Sequence, residues 1–192
     1  MRAIYSVSVG TDCSDLLRQI DAYAERSFGF PVERLAPADH PQAAFDPRRR
    51  QYSADVVLAI LCRTVPYSAV RLLAVTELDL FDPALSFVFG YARFNGPAAI
   101  VSTARMRPEF YRLPADRQLL AARVVKESLH ELGHTFGLTH CREETCPMSL
   151  STVILDVDTK QTEFCTGCAA LLRELLRALH AGRAASVETG RH

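Results

Sequence analysis

The chain has 192 residues, and a chain of this length can bury roughly 70% of its unfolded surface. Hydrophobic residues make up 48% and the formal net charge is +0, which is the composition of a globular protein. This composition excludes intrinsic disorder, and the charge balance does not indicate a nucleic-acid or membrane-surface partner. We therefore expect one domain over residues 1–192.

No apolar run reaches the roughly 18 residues that a membrane span needs, and the N-terminal segment lacks the pattern of a signal peptide. We therefore expect a cytoplasmic monomer without a membrane partner. Because the cytosol keeps thiols reduced, the six cysteines predict roles other than disulfide bonds. Cys13 and Cys62 stand alone in the sequence and predict small buried thiols.

The first half of the chain predicts strands that alternate with helices. Residues 3–9 are apolar and β-branched and predict an interior strand ending at Gly10. A helix follows, capped by Thr11, Asp12 or Ser14 and stopped by Gly29. Its apolar face comprises Leu16, Leu17, Ile20 and Tyr23. The stretch FPVERLAP then predicts a second strand.

The middle of the chain predicts a helix, a strand and a hairpin. Ser53 caps the helix, Pro66 ends it, and its apolar stripe comprises Val56, Val57, Ile60 and Leu61. LLAVTELDLF predicts one strand. Residues 86–106 predict a hairpin with a type I′ turn at Asn95-Gly96, and Pro97 places one arm near a sheet edge.

The longest helical pattern begins at Pro114 and Asp116 and stops at Gly137. Residues 139–167 are predicted to be largely irregular, residues 169–182 to form an amphipathic helix, and residues 183–192 to be a frayed tail. We expect a mixed α/β fold, a twisted sheet packed by helices. It would comprise a sheet-and-helix part (1–137), a metal-tied part (138–182) and the tail.

HELGHTFGLTH, from His130 to His140, carries the spacing of a metal site. His130 and His134 share one helix face and can both bind one zinc ion. Glu131 lies to the side, where a general base can reach the attacking water. Gly137 permits a sharp turn that returns His140 as a third ligand, and three histidines leave the open position of a catalytic zinc site.

Four cysteines form a second candidate metal site, with the spacings C-x₄-C and C-x₂-C: Cys141, Cys146, Cys165 and Cys168. Four thiolates suit a closed, tetrahedral structural zinc, and two disulfides are the alternative. Because Cys141 follows His140 directly, the structural metal would anchor the third ligand of the catalytic one. Met148 fits either an apolar floor beneath the histidines or an ordinary core position.

Together these residues resemble the archaemetzincins, a metzincin-related family. The matching positions are His130, Glu131, His134, Gly137, His140, Cys141, Cys146, Met148, Cys165 and Cys168. The resemblance implies a metzincin-like fold, Glu131 as base, Met148 in a Met-turn, and two Zn²⁺ ions, one on three histidines and one on four cysteines. Sixteen residues separate Met148 from Cys165, one fewer than in the family pattern, which predicts a shortened loop.

The leading hypothesis is a zinc metallopeptidase whose peptide or protein substrate lies extended along an edge strand near SFVFGYARF. A catalytically silent zinc protein that binds peptides or a protein partner is the alternative, although metal binding alone would not require Glu131. Nucleic-acid binding through the cysteines is disfavoured by the neutral charge and the lack of a basic stripe. The sequence leaves open the substrate, the cleavage preference and the oxyanion stabiliser.

Overall fold

The computed structural model describes residues 2–188, except for the side chains of residue 180 and residues 182–188. The strands are β1 (Ala3–Val9), β2 (Val32–Arg34), β3 (Phe45–Asp46), β4 (Gln51–Ser53), β5 (Ala69–Thr76), β6 (Leu80–Phe81), β7 (Gly90–Ala92) and β8 (Ala98–Ser102). The helices are α1 (Ser14–Phe28), α2 (Ala54–Cys62), α3 (Arg117–Phe136), α4 (Ile154–Thr159) and α5 (Thr166–Glu188). The mixed α/β class predicted from the sequence is confirmed.

The main sheet has the order β2-β1-β5-β8-β7. The first four of these strands run parallel, and β7 pairs antiparallel with β8 as the last strand on one edge. A smaller sheet has the order β3-β4-β6. Every residue of β1 and β8 is buried, as expected of strands covered on both faces.

Two apolar clusters lie on opposite faces of the main sheet. One joins α1 and α3 to the sheet through side chains such as Ile20, Leu129 and Val101. The other joins α2 to the opposite face through Val57, Leu58 and neighbouring strand residues. The helix predicted to carry the metal ligands is therefore packed into the larger core, with one end close to the edge strand β7.

Several predicted elements form with different boundaries in the structure. Cys13, rather than a capping side chain, occupies the N-cap of α1, because the Asp12 carboxylate accepts the Ser14 N–H in a local turn. In α2, Leu58 is buried whereas Val56 is exposed, and the helix ends at Cys62, before Pro66. LLAVTELDLF divides between β5 and β6, which belong to different sheets.

The hairpin of β7 and β8 forms, and its arm β7 lies at the sheet edge as Pro97 indicated. The type I′ turn is wrong, because that turn needs positive φ at both central residues and only Asn95 of the pair has it (49°). The Gly96 N–H instead donates to the Arg93 carbonyl in a longer connection.

The C-terminal part is more helical than the sequence predicts. Helix α4 interrupts the segment expected to be irregular, and α5 begins at Thr166 instead of residue 169. Helix α5 continues to Glu188, where a frayed tail was predicted from residue 183, and residues 189–192 of that tail lie outside the described residues. None of the helices in residues 2–188 has the length and apolar character of a membrane span.

Candidate metal centre and cleft

Helix α3 has well-defined ends, and they place the histidine motif. The Asp116 carboxylate accepts the Leu119 N–H at 2.9 Å, which satisfies one of the free donors at the start of the helix. Gly137 ends the helix with a left-handed φ of 103°, and its N–H bonds to the His134 carbonyl. Glycine adopts this conformation without strain, so the chain reverses and brings His140 back beside the helix.

The structure brings the three predicted histidine side chains together. One ring nitrogen each of His130, His134 and His140 lies within 4.8 Å of the others. The ring centroids are 4.5, 5.3 and 4.9 Å apart. His130 is buried, His134 is half-buried and His140 is exposed, so the cluster opens towards solvent on the His140 side.

Backbone carbonyls fix the orientation of two of these rings. The Nδ1–H of His130 donates to the Pro147 carbonyl and that of His134 to the Leu138 carbonyl, both at 2.8 Å. In a neutral ring the Nε2 atom is then unprotonated, and the two Nε2 atoms face each other at 3.0 Å. Burial lowers the pKa of all three histidines, which favours these neutral forms.

Two unprotonated nitrogens at this distance cannot bond to each other, so their lone pairs need a shared cation. Tetrahedral zinc with Zn–N bonds of about 2.05 Å would hold its nitrogen ligands about 3.3 Å apart. The observed 3.0 Å is close to that separation. The histidines therefore fit a zinc ion, and the carbonyls supply the outer hydrogen bonds that orient metal-binding imidazoles.

Glu131 lies between the histidines and the edge strand, and only 5% of the residue is exposed. Burial, then the charge of Glu127, raises the pKa of the Glu131 carboxyl well above its usual range, while Lys160 acts in the opposite direction. A Cβ atom at Gly90 of β7 would lie 2.5 Å from Glu131 Cγ and 2.6 Å from its Oε1. Glycine at position 90 therefore leaves the space that the carboxylate occupies.

Met148 lies beneath the histidines and is fully buried. A Cβ atom at Gly133, in the middle of the motif, would collide with the Met148 sulfur, so the absence of a side chain there lets the methionine approach the helix. The Met148 carbonyl accepts the Cys141 N–H at 2.9 Å. The methionine thus packs under the histidine cluster, and its backbone is tied to the residue after His140.

The four paired cysteines also converge. Their sulfur atoms lie within 4.8 Å of one another. Cys141 and Cys146 lie on a loop, Cys165 lies directly before α5, and Cys168 lies in the first turn of α5. The Cys141 and Cys165 sulfurs are 3.8 Å apart, close to the spacing of about 3.8 Å that Zn–S bonds of about 2.3 Å give in a tetrahedron. All six cysteines are free thiols, so the disulfide alternative is not found.

The backbone at the start of α5 favours a thiolate at one of the four positions. The Cys168 N–H donates to the Cys165 sulfur at 3.4 Å, and this bond lowers the pKa of the Cys165 thiol. Burial raises the pKa of Cys168 and Cys146, so without a metal these two stay protonated. Cys13 is buried as predicted, whereas Cys62 is only half-buried.

The histidines and Glu131 line a cleft of ≈ 490 Å³. Residues before and within β7 form one wall, and the segment 150–152 contributes to the lining as well. Glu127, one turn before Glu131 on α3, also lines the cleft, and its carboxylate faces the buried Lys160 ammonium at 3.4 Å. Sequence reasoning missed Glu127, although its spacing to His130 and Glu131 places it on their helix face.

Comparison with known proteins identifies the family. The sequence model of peptidase family M54 matches residues 8–174. An archaemetzincin of Methanocaldococcus jannaschii is 37% identical over 166 residues, which cover 86% of this chain and 90% of the relative. The resemblance to the archaemetzincins predicted from the sequence is thereby confirmed.

Solved structures agree with this assignment. The crystal structure of archaemetzincin from Methanopyrus kandleri has a TM-score of 0.81 and 35% identity, covering 92% of this chain and 96% of that one. A zinc-dependent peptidase from Methanocorpusculum labreanum also has a TM-score of 0.81, with 32% identity, covering 88% of this chain and all of that one (100%). This chain belongs to peptidase family M54.

Proposed function

We propose that the protein is a zinc-dependent metallopeptidase that hydrolyses peptide bonds in the cleft beside α3. The observation that carries the proposal is the convergence of unprotonated histidine nitrogens next to a buried carboxylate. The family is a peptidase family, and one structural relative is described as a zinc-dependent peptidase. Peptides or proteins are therefore the proposed substrates.

In this proposal His130, His134 and His140 hold the catalytic zinc. When bound there, zinc supplies Lewis-acid chemistry, polarising the scissile carbonyl and lowering the pKa of water. The Glu131 carboxylate takes the proton of the attacking water and delivers it to the leaving amine. Burial raises the pKa of the Glu131 carboxyl, which makes its ionised form a stronger base.

Strand β7 offers backbone groups to an extended substrate. The Arg93 N–H donates to the Ala98 carbonyl, and the Ser102 N–H donates to the Phe89 carbonyl. Because hydrogen bonding alternates along an antiparallel pair, the intervening Gly90 and Ala92 turn their N–H and C=O groups away from β8. A substrate strand could pair with these groups and lie across Glu131 and the histidines.

A second zinc is proposed at Cys141, Cys146, Cys165 and Cys168, where four thiols at tetrahedral spacing fit a closed structural site. Two zinc ions per chain are therefore proposed, and Gly137 and Met148 support the first of them. The single-domain organisation, the monomeric state, the absence of a nucleic-acid partner and the cytoplasmic location remain predictions from the sequence.

The test combines metal counting with hydrolysis. We expect two zinc ions per chain, cleavage of a peptide library that stops on treatment with a chelator, and recovery of cleavage when zinc is returned. Glu131→Gln should reduce kcat by about 10²- to 10⁴-fold, the range for a lost general base, without changing the zinc count. Zinc-replete protein that binds peptides without cleaving them would overturn the proposal in favour of a silent binding protein.

A further inference from the structure

The floor of the cleft contains a carboxylate that the proposed mechanism does not use. Glu127 lies one helical turn before Glu131 and lines the cleft beside His130. Its carboxylate, the Glu131 carboxylate and one His130 nitrogen lie within 4.8 Å of one another. Only 4% of the Glu127 residue is exposed, so the group lies at the end of a recess instead of on an open surface.

Lys160 holds this carboxylate in place from behind. Its Nζ atom lies 3.4 Å from Glu127 Oε2, and its side chain has no exposed surface (0%). Lys160 comes from the end of α4, whereas Glu127 is on α3, so the ion pair also joins these elements. A buried ammonium needs a buried partner, and Glu127 is the acidic side chain that faces it.

The pairing leaves Glu127 with accepting capacity. A carboxylate offers about four lone-pair positions on two oxygens, and among the described residues Lys160 is the hydrogen-bond donor to Oε2. Glu127 Oε1 has no hydrogen-bond donor in the described part of the chain, and Glu127 lines the cleft. A substrate group that carries N–H donors can therefore reach this oxygen.

The walls of the same cleft are mainly apolar near the surface. Phe87 and Val88 lie on the side of the edge strand, and Leu150, which is 58% exposed, is on the rim. The lining residues in the described chain include the carboxylates Asp82, Glu127 and Glu131 and no lysine or arginine. Apolar walls above acidic side chains match a side chain with an apolar stem and a cationic end.

Ser151, on the segment after Leu150, adds a second polar group to the lining. Its hydroxyl oxygen is buried and has no hydrogen-bond partner among the described residues. Buried hydroxyl groups usually have partners, so an orphan hydroxyl in a cleft is suited to an incoming ligand group. Glu127 and Ser151 therefore both offer acceptor oxygens among the residues that line the cleft.

We propose that Glu127, backed by Lys160, determines substrate specificity by binding the lysine or arginine side chain of a substrate residue next to the scissile bond. The proposal rests on the peptidase function and adds the class of side chain that the cleft selects. The residue would lie on the side of the scissile bond that faces the N-terminal half of α3, because Glu127 precedes His130 on that helix. An acidic side chain in the same position would be repelled.

The experiment uses a peptide that the zinc-replete protein cleaves at one mapped bond. Lysine, glutamine, norleucine and glutamate are placed in turn at each residue flanking that bond. We expect kcat/KM for lysine to exceed that for norleucine about tenfold and that for glutamate by more, at one flanking position only. Equal rates for lysine and norleucine, or a preference for glutamate, would overturn the proposal.

Glu127→Gln keeps the shape of the side chain and removes its charge, so the lysine-to-norleucine ratio should fall to about one. The matched control is Glu109→Gln, an exposed carboxylate that does not line the cleft, which should leave the ratio unchanged. Glu127→Asp, which retains the charge, should retain a reduced preference for lysine. A purely structural Glu127 would lower the Tm of the Gln variant and leave the ratio intact, which contradicts the proposal.

A binding measurement separates this inference from the peptidase function. The Glu131→Gln protein is titrated with fluorescent lysine, norleucine and glutamate peptides, and the lysine peptide should have a Kd about tenfold lower than the norleucine peptide. Selective binding without any hydrolysis by the wild-type chain would support the role of Glu127 and contradict the peptidase. Hydrolysis without selectivity for lysine in rate or binding would support the peptidase function and contradict the role of Glu127.

Discussion

The histidine cluster and the cysteine cluster meet at the His140–Cys141 peptide bond but are positioned in different ways. Two of the three histidines project from α3, a 20-residue helix packed into the main core. Three of the four cysteines lie outside the helices, and only Cys168 lies within α5. The fold therefore positions the histidine side chains on α3, whereas a metal bound by the cysteines is expected to order the segment that carries them.

The two clusters also share backbone contacts. The carbonyl that orients His130 belongs to Pro147, which lies between Cys146 and Met148. The residue after His140 is Cys141, whose N–H is bonded to the Met148 carbonyl. The loop that carries Cys141 and Cys146 thus contributes to the positions of His130 and His140. Substituting a cysteine should therefore disturb the histidine cluster, whereas substituting a histidine should leave the cysteine cluster in place.

The largest effect is expected from Cys146→Ser, which removes a buried member of the cysteine cluster. The chain should lose one zinc ion, and amides of residues 139–165 should exchange faster with solvent, because the proposed metal ties the two ends of this segment together. The affinity of the remaining zinc should fall by about 10- to 100-fold, the range for a lost outer contact.

Hydrogen exchange and zinc titration check this result, with Cys62→Ser as the control that should change neither. Unaltered zinc affinity at the histidines would show that the cysteine cluster does not brace His140 or His130.

Met148→Ala should have the next largest effect, because the fully buried side chain fills the space under α3. Emptying a buried methionine site costs about 2–5 kcal/mol of the free energy of unfolding. Met148→Leu conserves the volume and should cost less than about 1.5 kcal/mol. Denaturant unfolding of the zinc-loaded proteins measures both values, and an alanine variant as stable as the leucine variant would contradict a packed floor.

Gly90→Ala should reduce kcat about tenfold, equivalent to about 1.4 kcal/mol, because its Cβ would displace the Glu131 carboxylate. The same change in a Glu131→Gln background should cause little further loss, since both changes act through one group. Gly167→Ala is the control, because a Cβ there meets nothing within 4 Å. Additive losses in the double variant would mean that Gly90 acts independently of Glu131.

The smallest effect is expected from Asp116→Ala, which removes the N-cap of α3. The free energy of unfolding should fall by about 1 kcal/mol, while zinc affinity at the histidines stays unchanged because they lie several turns away. Asp116→Asn keeps a capping oxygen and should be nearly neutral. A loss of zinc affinity in the alanine variant would show that α3 is less firmly fixed than its packing into the core indicates.

Local signals predicted much of this structure. Ser53 and Asp116 begin their helices as N-caps, and Gly29 and Gly137 end theirs in left-handed conformations. The spacing of His130 and His134 fixes their shared helix face before any tertiary contact is known. These features depend on neighbouring residues, so the sequence contains them directly.

Contacts between distant segments could not be predicted in the same way. Glu127 and Lys160 are 33 positions apart, and neither residue is unusual in its own segment. The space for Glu131 depends on Gly90 in another element, and the true start of α5 depends on where its cysteines converge. In each case tertiary packing, which local pattern does not encode, decides the outcome.

The missing side chain at position 90 also offers a diagnostic for related sequences. Because any Cβ there would occupy the space of the Glu131 carboxylate, the two positions are expected to vary together. Relatives that retain the glutamate should retain the glycine, and a bulkier residue at position 90 should accompany a shorter side chain at 131. A survey of this residue pair would separate catalytically competent chains from silent ones without reference to the histidines, which both kinds could keep for metal binding.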